Sequence, residues 1–249
     1  MSRTRLLASP ERADAHARVV LSLFDAKAPG WSAKYAPDGP LAGRLASLSD
    51  AVSRHVRAGD RVLDLGCGTG ELASALAQAG IRAAGCDISR QMLRRAARDP
   101  GRVGSVQWVQ LEPGWRRLPF TSAAFDAVVV ASVLEYVAEP AAVLRECARV
   151  LRPGGVVLYT VPDLRHPVRW AEWLARRLAR APVPSADGSL RRHAYRAYLR
   201  ASRQRHRVRW WLAASASVGL RPVPGPGGGR RSALRLFVFR CGDQAGAPR

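Results

Sequence analysis

Lysine is nearly missing from this chain: Lys27 and Lys34 are the only two among 249 residues, against 38 arginines. Alanine is abundant beside them, so the arginine excess reads as a coding preference, and the net charge of +21 does not by itself identify a polyanionic partner. Cysteine is sparse. Cys67, Cys86, Cys147 and Cys241 lack paired spacing, which argues against a disulfide framework and fits buried thiols of a cytoplasmic protein. No apolar run has the length of a membrane span, and the stretch from Val19 to Phe24 is too short and too late for a signal peptide, so no membrane partner is expected. No His, Cys and carboxylate residues recur at metal-ligand spacing, and no metal is expected. With 47% hydrophobic residues the chain has enough apolar material for one domain that folds alone.

What is present is more specific. Val62-Leu63-Asp64-Leu65-Gly66-Cys67-Gly68-Thr69-Gly70-Glu71 is an apolar strand running into a turn of alternating glycines and then a helix. Side chains at those glycines would block a ligand from the backbone. The next strand ends at Asp87, about 20 residues past the first glycine, where a carboxylate can accept both hydroxyls of a ribose. A nicotinamide-binding fingerprint needs a glycine where Glu71 stands, so the spacing favours a nucleoside over a dinucleotide.

The motif resembles that of the class I S-adenosylmethionine (SAM) methyltransferases of the ubiquinone-methyltransferase-like type. The resemblance continues in order through Leu118-Pro119-Phe120, Phe125-Asp126, the run Ser132 to Val137, Arg145-Glu146 and Arg149 to Gly155. It implies an α/β fold: a Rossmann-like, doubly wound, mostly parallel seven-stranded sheet with a C-terminal antiparallel hairpin and a helical insertion. It also implies SAM as cofactor. By resemblance Asp64 orients the amino acid end of SAM, the backbone of Gly66, Cys67 and Gly68 lies against it, Asp87 holds the ribose, and Ile88 and Ala131 line the same site. Tyr35 and Arg44 match positions where relatives close an N-terminal segment over the cofactor. At the position where the family carries an acidic adenine contact this chain has Gly114, which leaves Glu112 to accept from the exocyclic amine and Trp115 either to pack on the purine or to plug the loop. The Glu-x-x-Glu-His metal ligands of ubiquinone-pathway O-methyltransferases correspond here to Ser132, Glu135 and Tyr136, and one oxygen ligand of three does not make a magnesium site.

The chain divides into a helical segment at 1–60 that closes over the cofactor, a SAM-binding core at 61–162, a helical arginine-rich insertion at 163–206 that caps the acceptor, and a helix with strands at 207–240 that completes the sheet. The stretch 164–209 holds thirteen arginines against Glu172 and Asp187. It is broken at Pro182 to Ser185, and a glycine-proline loop at 224–229 precedes the last strand. Trp170, Trp173, Leu174, Tyr195 and Tyr198 have the helical spacing of a pocket wall or of a core-facing stripe. His166 and His193 are the candidate general bases, with surface histidine as the plain alternative. The function expected is methyl transfer to a small-molecule acceptor. The rivals are an RNA methyltransferase that binds phosphates through the insertion and a SAM-binding protein without catalysis. Against nucleic acid, the residues after the fourth strand, Ala131-Ser132-Val133-Leu134, lack the Asn/Asp-Pro-Pro-aromatic run of amine-methylating enzymes. The oligomeric state is left open.

Overall fold

The computed structural model describes residues 10–99, 106–178, 189–223 and 233–242, and side chains at 10, 176, 178 and 189–194 are not among those described. The Pro182 to Ser185 break and the 224–229 loop lie outside these residues. Five strands, β1 (Arg61–Leu65), β2 (Arg82–Asp87), β3 (Gln107–Gln110), β4 (Phe125–Ala131) and β5 (Leu151–Pro162), run parallel, and β6 (Leu220–Pro222) and β7 (Leu234–Cys241) complete a sheet of order β3-β2-β1-β4-β5-β7-β6. β7 is antiparallel to both of its neighbours, Val161 pairing with Arg235 and Arg221 with Arg240.

Alternation along each central strand builds two cores. Leu63, Val128, Val130, Val157 and Tyr159 point to one face, where α5 (Pro140–Val150) and α8 (Val208–Ala216) contribute Leu144 and Trp211. Val62, Ala127, Val129, Val156 and Leu158 point to the other, covered by α2 (Ala42–Ser53) and α3 (Glu71–Gln78). A strand apolar on both faces is what a parallel sheet between helix layers requires. Two recurrent motifs have a mechanical role here. Glu146 accepts from Leu118 N at 2.8 Å, and Arg149 donates to the carbonyls of Leu118 and Phe120 at 3.0 and 2.8 Å, which clamps the Leu-Pro-Phe loop onto α5.

Four further helices pack around this frame. α1 (Pro10–Lys27) packs against α7 (Ser189–Ala201) through Val20, Leu23 and Ala201, α4 (Arg90–Arg98) follows β2, and α6 (Val168–Leu178) follows β5. Gln204 fixes the end of the insertion by donating from Nε2 to the carbonyls of Val137 and Ala138, both at 3.0 Å. No helix among the described residues is long and apolar enough to cross a membrane.

Candidate cofactor and acceptor site

The loops after β1, β2 and β4 open into a cavity of about 520 Å³ lined on its other sides by α1, by Trp31 and Tyr35 at the 3-10 turns Ala28–Gly30 and Ser32–Tyr35, and by Arg44 of α2. Its floor is drawn together by the glycine turn. Gly66 N and Cys67 N donate to the Cys86 carbonyl at 2.7 and 3.1 Å, folding the end of β1 over the end of β2. Gly68 N donates to Asp87 Oδ2 at 2.9 Å, and Ser89 N donates to Asp87 Oδ1 at 2.8 Å, so the carboxylate is aimed by two backbone groups. Gly66, Gly68 and Gly70 all have positive φ, at 75°, 56° and 81°.

The charge of this floor is unbalanced. Asp64 is buried, and burial first, then the negative charges of Asp87 and Glu71, push its carboxyl up from 3.8 to about 7. Burial also raises Asp87, with the Ser89 and Gly68 amides pulling the other way. Three acids around one turn therefore present a site in which a bound cation would relieve both desolvation and mutual repulsion.

Opposite the floor, Arg44 spans from α2 to the ends of β4 and β5, its Nη2 donating to Ser132 Oγ at 2.9 Å and, at 3.5 Å, to Thr160 Oγ1. Thr160 Oγ1 accepts in turn from Ser132 N at 2.9 Å. Ser132 has φ +56°, a left-handed conformation that costs a non-glycine residue about 1–3 kcal/mol and is held by these contacts. Glu135, three residues on, is buried with Oε2 lacking a partner, and burial pushes it up to about 7 against the opposing pull of Arg205, Arg44 and Arg169. An aromatic wall completes the cavity. Phe24 meets Trp31 and Tyr136 edge-on at 5.7 and 5.1 Å, and Tyr136 meets Tyr198 of α7 at 6.4 Å. Lys27 Nζ lies 5.5 Å from the centre of the Phe24 ring, and burial followed by the charge of Lys34 lowers it to about 8.

Of the residues singled out by sequence, Tyr35, Arg44, Asp64, Gly66, Cys67, Gly68, Asp87, Ile88, Trp115 and Ala131 all line this cavity. Glu112 does not. It is exposed, because the turn closed by Trp115 N on the Glu112 carbonyl, with Gly114 at φ +79°, swings Trp115 inward and Glu112 out. His166 is also absent from the lining. Its Nδ1 accepts from Val168 N at 3.3 Å, which ties the ring to the start of α6. The side chain of His193 lies outside the described residues. Among the insertion's aromatics only Tyr198 reaches the cavity. Trp170 and Trp173 are 74% and 53% exposed, forming neither pocket wall nor core. α6 instead turns Glu172 inward, where its carboxylate accepts from Arg169 at 2.5 Å, Tyr198 Oη at 3.0 Å and Arg205 at 3.2 Å. Sequence reasoning passed over His16, the one imidazole lining the cavity among the described residues. Its signal was a histidine on the stripe Ala13, Ala17, Val20 and Phe24 of α1.

Comparison with known proteins gives this geometry its family. The profile of the methyltransferase domain family matches residues 63–159. A ubiquinone biosynthesis O-methyltransferase of Idiomarina loihiensis is 36% identical over 41% of this chain and 42% of its own length. The enzyme of the same name from Xanthomonas oryzae pv. oryzae is 34% identical over 64% of this chain and 70% of its own length. The chain belongs to the class I SAM-dependent methyltransferases. The chain thus spans less than half of the first of these relatives and about two thirds of the second. In fold, this methyltransferase superposes on magnesium protoporphyrin IX methyltransferase of Synechocystis PCC 6803 with bound S-adenosylhomocysteine (SAH), with a TM-score of 0.67 at 16% identity over 90% of this chain and 98% of the other.

The family's cofactor fits the residues present. SAM carries an ammonium and a sulfonium, the positive charges that the acidic floor around Asp64 lacks. The Asp87 oxygens each keep a lone pair beyond the one given to Gly68 or Ser89, enough to accept two hydroxyls. Asp87→Ala is therefore expected to weaken SAH binding by about 1.5–3 kcal/mol, through lost charge-assisted hydrogen bonds and a loosened Gly68. Calorimetry at fixed pH tests this, and an unchanged Kd would remove Asp87 from the ligand's contacts.

Proposed function

We propose that the chain transfers the methyl group of SAM to a hydroxyl of a small, planar, aromatic acceptor. The observation that carries this reading is the aromatic cluster of Phe24, Trp31, Tyr136 and Tyr198, which lines the same cavity as the acidic floor and reaches it at Trp31, whose Nε1 lies 3.2 Å from where a Cβ on Gly68 would stand. These rings pack edge-on against one another, so the surface they share favours a flat π-system laid against it over a highly charged acceptor. The relatives named as ubiquinone biosynthesis O-methyltransferases support oxygen as the receiving atom.

When bound, SAM supplies an electrophilic methyl on sulfur, so the protein's work is alignment, exclusion of water and removal of one proton. Asp64 and Asp87 hold the two ends of the cofactor, and the Gly66 and Gly68 backbone admits it closely. Within the segment 1–60, the stretch from α1 to α2 closes the cavity, and the insertion 163–206 caps the acceptor through Tyr198. The arginines of the insertion serve structure as well as charge, since Arg169 and Arg205 converge on Glu172. That use weakens the nucleic-acid alternative. A cytoplasmic place of work fits the thiol content.

A screen of phenols and catechols with SAM, read as SAH formation, tests the proposal, with an RNA arm at physiological salt. Turnover of RNA without turnover of any phenol would overturn it, and SAH binding without any turnover would leave a non-catalytic cofactor binder. In the same assay EDTA is expected to leave kcat unchanged, because Ser132 and Tyr136 stand where two of three metal ligands would be needed. A fall of more than about tenfold, restored by magnesium, would show that the chain recruits metal by another ligand set.

A further inference from the structure

The cavity holds an imidazole with nothing to bond. His16 is 4% exposed, and neither Nδ1 nor Nε2 has a hydrogen-bond partner. A neutral imidazole carries one donor and one acceptor, and burying both unpaired costs free energy that an apolar side chain on the same helix stripe would not. Core histidines are ordinarily satisfied, so an orphan of this kind calls for a partner that arrives with a ligand. The position supports that. His16 lies on the face of α1 that lines the cavity, beside the backbone of Tyr136 but outside hydrogen-bond geometry with it. Tyr136 occupies the place of the histidine in the Glu-x-x-Glu-His set, so in this chain an imidazole enters the same cavity from a different element.

We infer that His16 is the general base of the reaction, accepting the proton of the acceptor's hydroxyl as its oxygen bonds to the methyl carbon. The inference rests on the reading of the acceptor as a hydroxyl. The oxygen–hydrogen electron pair forms the new bond to carbon, the carbon–sulfur pair returns to sulfur as SAH, and the proton on the imidazole passes to solvent after product leaves. Burial holds His16 below its ordinary pKa, with the positive charge of Arg203 adding to the effect and the Tyr136 backbone opposing it, so the ring is in its basic form at neutral pH. Among the described residues lining the cavity, Glu135 is the other side chain with an orphaned proton-accepting atom, but three arginines compete for its charge.

The test uses the full chain with His16→Ala and His16→Gln. Both variants should retain SAH affinity within about threefold, while kcat toward a phenolic acceptor falls by about 100-fold or more. Added imidazole should restore turnover to His16→Ala and not to His16→Gln, whose longer side chain fills the vacated space. A structural role would not produce that rescue. Histidine NMR of the wild type, assigned by the loss of one resonance in His16→Gln, should place the His16 titration below 6.5. Wild-type turnover with an unchanged kcat in both variants, or a loss that imidazole does not rescue, overturns the assignment alone. Absence of wild-type turnover on every hydroxylated acceptor overturns the functional reading, and the role of His16 with it.

Discussion

Gly66→Ala is expected to abolish measurable binding of SAM and SAH, a loss of more than about 100-fold or 3 kcal/mol. Two costs combine at this position. The backbone has φ +75°, where a Cβ costs about 1–2 kcal/mol. The new Cβ would also stand 2.2 Å from Val133 Cγ2, and Val133 follows Ser132, whose own left-handed backbone leaves little freedom to give way. The turn must therefore shift, and with it the two amides that bond to Cys86. Gly154→Ala is the matched control, since φ is +76° but no atom lies within 4 Å of its Cβ. It should lose similar backbone energy in urea unfolding and retain cofactor affinity. Equal affinity in both variants would show that the glycine turn does not approach the ligand.

Asp64→Asn should separate stability from binding. In the free chain Asp64 titrates near 7 against an ordinary 3.8, mainly through burial. An acid whose folded-state pKa is raised holds its proton longer in the fold than in the unfolded chain. Folding stability then falls as pH rises from about 4 through 7, and above 7 the penalty is on the order of 4 kcal/mol. Replacing the carboxyl by an amide removes that term, so the variant should be more stable than wild type at pH 8 and nearly equal at pH 4. Cofactor affinity should move the other way, falling by about 100-fold as the ammonium loses its counter-charge. Wild-type affinity should also rise between pH 6 and 8 as Asp64 ionises, with no such rise from this group in the variant. Urea unfolding and calorimetry at the three pH values decide the matter, and a variant less stable than wild type at pH 8 would contradict the origin assigned to the shift.

Much of this was legible because the decisive features are local. Val62 to Leu65 is apolar at consecutive positions, and a strand that must face helices on both sides requires that pattern. The glycine turn and Asp87 are set by backbone conformation and by a fixed distance along the chain, both readable in one dimension. Glu112 failed for a related reason: its separation from the family's acidic position was two residues, and a turn around Gly114 reverses which side chain faces inward. The insertion was harder. Trp170, Trp173 and Leu174 have helical spacing, but spacing identifies a face without saying what lies against it. The buried face of α6 is organised by Glu172 with Arg205, partners 33 residues apart that no periodicity joins. His16 was passed over because a lone histidine on an apolar stripe is usually a packed core residue, and only its unpaired nitrogens mark it as different.

The placement of β7 has a consequence for synthesis on the ribosome. β5 is covered from Val156 to Pro162 by a strand more than 70 residues later, Val161 facing Arg235. Until Arg240 has emerged, the outer edge of β5 presents unpaired backbone amides and carbonyls between Val156 and Pro162. Such an edge recruits other strands, including those of neighbouring nascent chains. The half of the sheet that binds the cofactor can assemble early from contacts near in sequence, while its other half waits on translation. At an elongation rate of roughly 5–20 residues per second, that wait lasts several seconds, the interval in which a chaperone has something to protect.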